Sequence, residues 1–267
     1  MPLNGPIELA VPGRTFATTL WRGGEGPPLV FLHGAGGLSP RDPFLARLAE
    51  RFEVIAPVHP GFGDISDLDD LEDVHDLALY HDDLLGALGL EHASVAGHSF
   101  GGMIAAELAA HVPARVANLV LIAPVGLWRD EAPMADLLST EPEQVPALLW
   151  ADPSGPTAAE VASALADPGQ SPVDQAVQAS RGITAATKYL WPIPDHGLSR
   201  RLYRIRSRTL VLWGAEDRLI SASYADDFAR GIADCRVEVL EKAGHHVTYE
   251  QLDRCAELVS RLLTGSE

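Results

Sequence analysis

The sequence predicts an α/β fold: a mostly parallel sheet with helices packed on both of its faces. Three observations lead there. Short apolar runs alternate along the chain with longer segments of helical periodicity. Several of those runs are apolar throughout, as in strands covered on both faces. Small turn motifs follow their C-terminal ends, the side on which open α/β sheets gather their ligand-binding loops.

The elements follow in order. Residues 7–11 and 15–21 suggest a leading hairpin, with Pro12 and Gly13 as its turn. Strand 29–32, helix 43–51, strand 54–58 and helix 71–88 come next, then strand 93–96, helix 100–111 and strand 118–122. After a break, strand 209–213, helix 222–232, strand 236–240 and a closing helix at 251–263 complete the alternation. In the helix over 71–88, Leu71, Val74, Leu77, Ala78, Leu84, Leu85 and Leu88 recur at helical spacing. The nine carboxylates between Asp64 and Asp83 then read as its solvated face, rather than as a cation site completed by His75 and His81. Those from Asp67 to Asp73 sit near its start, where the helix dipole favours them. Helix 100–111 is apolar almost all round, as suits burial against the sheet, and Leu252, Ala256, Val259 and Leu263 mark the buried stripe of the last helix.

Ser99 lies in Gly97-His98-Ser99-Phe100-Gly101-Gly102, between an apolar strand and an apolar helix. A chain that reverses within so few residues leaves no room for side chains two positions either side of the serine. The serine is then held in a strained conformation with its hydroxyl pointing outward. A reactive serine needs a base, an acid to orient that base, and donors for an oxyanion. Asp217 falls just past strand 209–213, and Ala243-Gly244-His245-His246 follows strand 236–240. Strand 29–32 ends in His33-Gly34-Ala35-Gly36-Gly37, whose glycines let backbone N–H groups face a ligand. The order Ser99, Asp217, His245 is the one that accompanies this strand–serine–helix turn.

From about Leu29 to its C-terminus the chain resembles the α/β-hydrolase superfamily, most of all single-domain bacterial esterases and carbon–carbon bond hydrolases with a helical lid. Further matches are Pro60-Gly61-Phe62-Gly63 after the strand at 54–58, and Gly244-His245 followed by Glu250. The resemblance implies an α/β-hydrolase fold with Ser99 as nucleophile, His245 as general base and Asp217 as orienting acid. It makes the backbone N–H groups of Ala35 and Phe100 the oxyanion donors, and it calls for no metal and no cofactor. His246, one residue on, is expected as a wall or lid contact. Glu216 is the rival to Asp217, and the strand at 118–122 ends in Ala123-Pro124-Val125-Gly126 without a carboxylate. Related dehalogenases and epoxide hydrolases carry an aspartate where Ser99 stands, so those chemistries drop out.

Residues 126–208 break the alternation, with no convincing strand and helical candidates at 134–138, 145–150, 158–165 and 173–190. This interval is expected to be a helical cap over Ser99, inserted into a core domain formed by 1–125 and 209–267. Trp128, Trp150, Tyr189 and Trp191, with His33, Gly34, Arg181 and His246, are the candidates to line a substrate pocket. Arg200, Arg201, Arg204, Arg206 and Arg208 offer two readings, attraction of an anionic substrate or, the favoured one, a solvated return segment paired with the acidic helix face.

The net charge of −17 argues against nucleic acid or anionic lipid as a partner. No apolar run is long enough to span a bilayer, and the start Met1-Pro2-Leu3-Asn4-Gly5 lacks the features of a signal peptide. Cys235 and Cys255 read as packing thiols in a reducing compartment. The expectation is a cytoplasmic, carboxylesterase-like enzyme with a small-molecule ester or ketone substrate. The leading reaction is hydrolysis of a small to medium carboxylic ester through an acyl-enzyme. An alternative is carbon–carbon cleavage of a vinylogous diketone, as in meta-cleavage-product hydrolases. Those relatives usually place a tryptophan right after the catalytic histidine and an arginine in the lid; here His246 stands in the first place and Arg181 is the candidate for the second. Cofactor-free haloperoxidase or perhydrolase chemistry is a further alternative, and a non-catalytic small-molecule binding protein on the same fold is one from a different class.

Overall fold

In strand β3 (Pro28–Leu32), Leu29 and Phe31 pack into one hydrophobic core while Val30 and Leu32 pack into another. Strand side chains alternate between faces, so this apolar run feeds two cores, one on each side of a sheet. The computed structural model describes residues 3–137, 139–166 and 169–265. Among them the sheet has eight strands: β1 (Asn4–Ala10), β2 (Ala17–Gly23), β3, β4 (Glu53–Pro57), β5 (Ala93–His98), β6 (Val116–Ile122), β7 (Arg208–Gly214) and β8 (Cys235–Leu240). Their spatial order is β1-β2-β4-β3-β5-β6-β7-β8. Only the β1–β2 and β2–β4 pairings are antiparallel.

Helices α1 (Pro43–Leu48), the one-turn α8 (Val247–Glu250) and α9 (Leu252–Thr264) cover one face, with Phe44, Leu45, Leu48, Val247, Cys255, Leu258 and Val259 in the core there. Helices α2 (Val74–Ala87), α3 (Phe100–His111) and α7 (Ala225–Gly231) cover the other. The chain leaves β3 for β4 on one side and then returns to β5 on the other side of β3. The segments that follow β3 and β5 therefore depart to opposite faces, which opens a crevice at the C-terminal ends of these two strands.

Of the elements whose bounds differ from the sequence reading, two show the physical reason directly. Helix α2 starts at Val74, because the Asp73 side chain accepts the amides of His75 (2.7 Å) and Asp76 (3.0 Å) and caps it there. Residues Ile65–Asp70 form a separate 3₁₀ turn, and Asp70 leaves the helix face to accept the Thr15 amide at 3.0 Å. The helix expected over 134–138 is not formed by residues 134–137, and Leu138 lies outside the described residues. Here the Ala135 amide is drawn to the Leu219 carbonyl (2.9 Å), a partner on the sheet's own loops.

Between β6 and β7 lie α4 (Val145–Leu149), α5 (Pro156–Leu165) and α6 (Pro172–Leu190), with no strand among the described residues. Gly182, Ala185, Ala186 and Tyr189 form the buried stripe of α6 at helical spacing. A Cβ at Gly182 would come within 2.8 Å of the Ala35 carbonyl oxygen, so this helix lies directly on the loop after β3. The basic return segment is fastened to α3 rather than to the acidic face of α2. Arg201 grips the buried Glu107 with two bonds (3.0 and 2.6 Å), and Arg204 donates to the Ala110 carbonyl at 2.7 Å. A carboxylate buried in an otherwise apolar helix needs such a partner.

Candidate active site

Ser99 joins β5 to α3 with φ 54° and ψ −114°, a backbone region that non-glycine residues avoid. Its neighbours keep it there. The Ser99 amide donates to the Ile122 carbonyl at 2.8 Å, and the Ser99 carbonyl accepts from Met103 (3.1 Å) and Val125 (3.2 Å). A Cβ at Gly97 would lie 2.2 Å from the Gly101 carbonyl oxygen, and one at Gly101 would lie 2.0 Å from that of Leu32. No side chain fits at either position, as the tight reversal requires.

Asp217 and His245 meet past the C-terminal ends of β7 and β8. His245 Nδ1 donates to Asp217 Oδ2 at 2.8 Å, and both side chains are buried. Asp217 also accepts from Trp213 Nε1 (3.0 Å) and from the amides of Leu219 and Ile220 (2.9 Å each), so the carboxylate has a single orientation. Glu216 instead faces solvent beside Arg218. With Nδ1 committed as donor, Nε2 of His245 keeps its lone pair and can accept a proton.

The histidine loop is anchored on two sides. His98 Nε2 donates to the His245 carbonyl at 3.0 Å. Glu250 accepts the Gly244 amide (2.7 Å) and the Ala151 amide (2.9 Å), tying the loop to the residues after α4. Arg218, next to Asp217, ties the acid's loop to the same residues through the carbonyls of Ala147 (3.2 Å) and Trp150 (3.0 Å). The His246 amide donates to the Leu149 carbonyl (3.0 Å), and its ring sits 4.8 Å from that of Trp150 and 5.4 Å from that of Tyr249. His246 therefore packs toward the inserted segment, while its neighbour His245 turns to Asp217.

The loop after β3 runs alongside the serine. A Cβ at Gly34 would lie 3.5 Å from Ser99 Cβ and 3.1 Å from His98 Nδ1. The Phe100 amide is the first of α3 and so has no intrahelical partner. Its helix dipole favours negative charge at this end. His33 lies under the loop, its Nδ1 donating to the Gly34 carbonyl at 2.8 Å.

An apolar cavity of about 250 Å³ begins at Ala35 and extends under the inserted segment, between Trp128, Met134, Ile183, Leu190 and Trp191. Of the pocket candidates, Trp128 and Trp191 line it, and Trp191 stands at its mouth, 64 % exposed. Tyr189 is fully buried instead, stacked on Phe100 at 6.0 Å, and Trp150 packs on the histidine loop. Arg181 is exposed on α6 and does not line the cavity; nor do His33, Gly34 or His246. Asp136 is the only charged residue among the described lining residues. Sequence reasoning passed over Trp213, Arg218 and Met134, whose roles come from partners distant in the chain.

Among the described residues, His75, Glu107 and His111 bring possible metal-ligand atoms within 4.8 Å of one another. Both Glu107 oxygens are already held by Arg201, and a cation there would face the guanidinium. The arrangement is a charge-paired packing cluster. No helix among the described residues is long and apolar enough to cross a membrane.

The model of the alpha/beta hydrolase family matches residues 29–258. The chain is 28 % identical to a 2-hydroxy-6-oxo-6-phenylhexa-2,4-dienoate hydrolase of Comamonas testosteroni, over 86 % of this chain and 85 % of that one. It is 29 % identical to a 2-hydroxymuconate semialdehyde hydrolase of Pseudomonas putida, over 99 % of both. Among solved structures, a meta-cleavage product hydrolase from Pseudomonas fluorescens IP01 superposes with a TM-score of 0.76 over 98 % of both chains, at 19 % identity. That last likeness is one of fold.

Proposed function

Because this chain belongs to the alpha/beta hydrolase family, we propose that it is a serine hydrolase of small molecules in which Ser99, His245 and Asp217 form the catalytic triad. The observation that carries this reading is the 2.8 Å bond from His245 Nδ1 to Asp217, in a loop that His98 ties to the end of β5, next to Ser99. His245 Nε2 takes the Ser99 proton as the hydroxyl attacks a carbonyl carbon, while Asp217 fixes the tautomer and stabilises the imidazolium. The amides of Ala35 and Phe100 hold the tetrahedral oxyanion, a contribution of about 3–4 kcal/mol per donor in such sites. His245 then gives its proton to the leaving group, and water, activated by the same histidine, releases the acyl product. The segment between β6 and β7 serves as the cap, its cavity taking the apolar part of the substrate.

Carbon–carbon cleavage of a ketone is the reading supported by the two relatives named above, a 2-hydroxy-6-oxo-6-phenylhexa-2,4-dienoate hydrolase and a 2-hydroxymuconate semialdehyde hydrolase. In that reaction the proton on His245 goes to the leaving carbon. Ester hydrolysis is the second reading, and a specific feature favours it. Among the described residues that line it, the cavity offers no cation to hold a substrate carboxylate, and His246 occupies the place after the candidate base.

The test is labelling with a fluorophosphonate, followed by turnover of p-nitrophenyl esters of rising chain length beside a ring-fission diketone. Labelling at Ser99, abolished in Ser99→Ala, is the expected result. Higher kcat/KM on the diketone selects carbon–carbon cleavage, and higher kcat/KM on an ester selects the other. A Ser99→Ala protein that kept a tenth of the turnover would remove the triad from the reaction.

A further inference from the structure

We propose that His59, braced by His81, is a positioning residue of the oxyanion hole that sets the Ala35 amide at its working distance from Phe100. The inference rests on the serine-hydrolase reading above.

His59 follows β4, and no step of the proposed chemistry uses it. It is bonded to His33 twice: the His59 amide donates to His33 Nε2 at 3.1 Å, and His59 Nε2 meets the His33 carbonyl at 3.0 Å. His33 is the residue just past β3, where the strand ladder no longer supplies a donor for its carbonyl. From there the chain turns directly into Gly34 and Ala35. The His59 ring also stands edge-on to the Phe100 ring at 5.5 Å and 84°. One imidazole thus touches both segments that carry the proposed oxyanion donors.

The partners determine every proton in this chain of rings. His33 Nε2 accepts an amide, so its proton is on Nδ1, directed at the Gly34 carbonyl (2.8 Å). A carbonyl can only accept, so His59 carries its proton on Nε2 and has a lone pair on Nδ1. That lone pair faces His81 Nε2 at 3.1 Å, which must then be the donor. The sequence of donors runs one way, from His81 in α2 through His59 to the His33 carbonyl. All three side chains are buried, 1–2 % exposed. An apolar core would need none of these bonds, and a half-satisfied polar network costs more than it returns. This one is satisfied link by link and ends on the oxyanion loop.

The experiment uses saturating fluorophosphonate inactivation of the full chain, which needs the triad and the oxyanion hole but not the natural substrate. His59→Leu should lower the maximal inactivation rate by about 10- to 100-fold, short of the ~100- to 1,000-fold cost of deleting a donor outright. The half-saturating inhibitor concentration should change by less than about threefold, because binding in the cavity is untouched. His59→Gln, whose side-chain N–H reaches toward the same carbonyl, should recover most of the rate, and His81→Phe should fall between. In the wild-type protein, ¹⁵N-edited NMR should find the His59 proton on Nε2, a reading that survives if His59→Leu fails to fold. A wild-type inactivation rate in His59→Leu, equal rates for the Leu and Gln variants, or the Nδ1 tautomer would overturn the inference. Absence of labelling at Ser99 in the wild type would instead overturn the serine-hydrolase reading beneath it.

Discussion

The imidazole of His98 donates its Nε2–H to the main-chain carbonyl of His245 at 3.0 Å. Ser99 is the next residue, so this one bond ties the strand bearing the proposed nucleophile to the loop bearing the proposed base. Burial, and then His245 beside it, pushes His98 down to about 3, so it stays a neutral single-direction donor. His98→Leu is expected to fold and to lose about 10- to 100-fold in kcat with KM nearly unchanged, since a displacement of about 1 Å at the reacting centre has that order of effect. Steady-state kinetics on the best substrate checks it. A larger change in KM than in kcat would mean that His98 serves binding.

The two adjacent histidines should separate cleanly. His245→Ala is expected to be about as inactive as Ser99→Ala, with losses on the order of 10⁴–10⁶ in kcat, because triad members act as a unit. Asp217→Asn should cost about 10⁴ through the wrong tautomer. His246 packs against Trp150 and Tyr249, so His246→Ala should keep most of kcat and lower the thermal midpoint. The reverse pattern would move the base one residue along.

Acid should weaken the fold before carboxylates titrate. Burial holds His33 down to about 4 and His81 down to about 3, and keeps His59 well below the ordinary 6.5. Between those values and 6.5 the unfolded chain binds protons that the folded chain excludes. The stability these groups confer is therefore complete above 6.5 and is lost as pH falls toward 4. Each contributes a slope of up to about 1.4 kcal/mol per pH unit. Urea midpoints measured at about pH 7.5 and about pH 5 should differ markedly, and the difference should shrink in His81→Phe. Equal midpoints would show that the rings protonate freely in the fold.

The inserted segment's aromatic residues should divide into two kinds. Trp191 lines the mouth of the cavity, and Trp191→Ala is expected to shift preference between short and long or aromatic substrates by roughly 10- to 100-fold in kcat/KM. Tyr189 is fully buried on Phe100, so Tyr189→Ala should cost about 3–5 kcal/mol of stability, as large-to-small core changes do. A chain-length series and a denaturation curve on each variant separate the two effects. An unchanged series for Trp191→Ala would leave selection to other residues around the cavity.

The chain's own pattern determined what depends on neighbours in sequence. Helix α3 covers Phe100–His111, the bounds read from its apolar run, and the steric need for Gly97 and Gly101 follows from the tightness of the turn they flank. The sheet's alternation and the order of Ser99, Asp217 and His245 were legible for the same reason, since each lies at the end of a strand that periodicity reveals. Tertiary structure alone decided what depends on partners far away in the chain. Glu107 and Arg201 meet across 94 positions, His33 and His81 join through His59, and Trp191 reaches the cavity while Tyr189 sinks into the core. Composition and spacing say that a residue is buried or polar, whereas the identity of its partner is settled by how helices pack onto the sheet, and with it each proton's position and each ring's role.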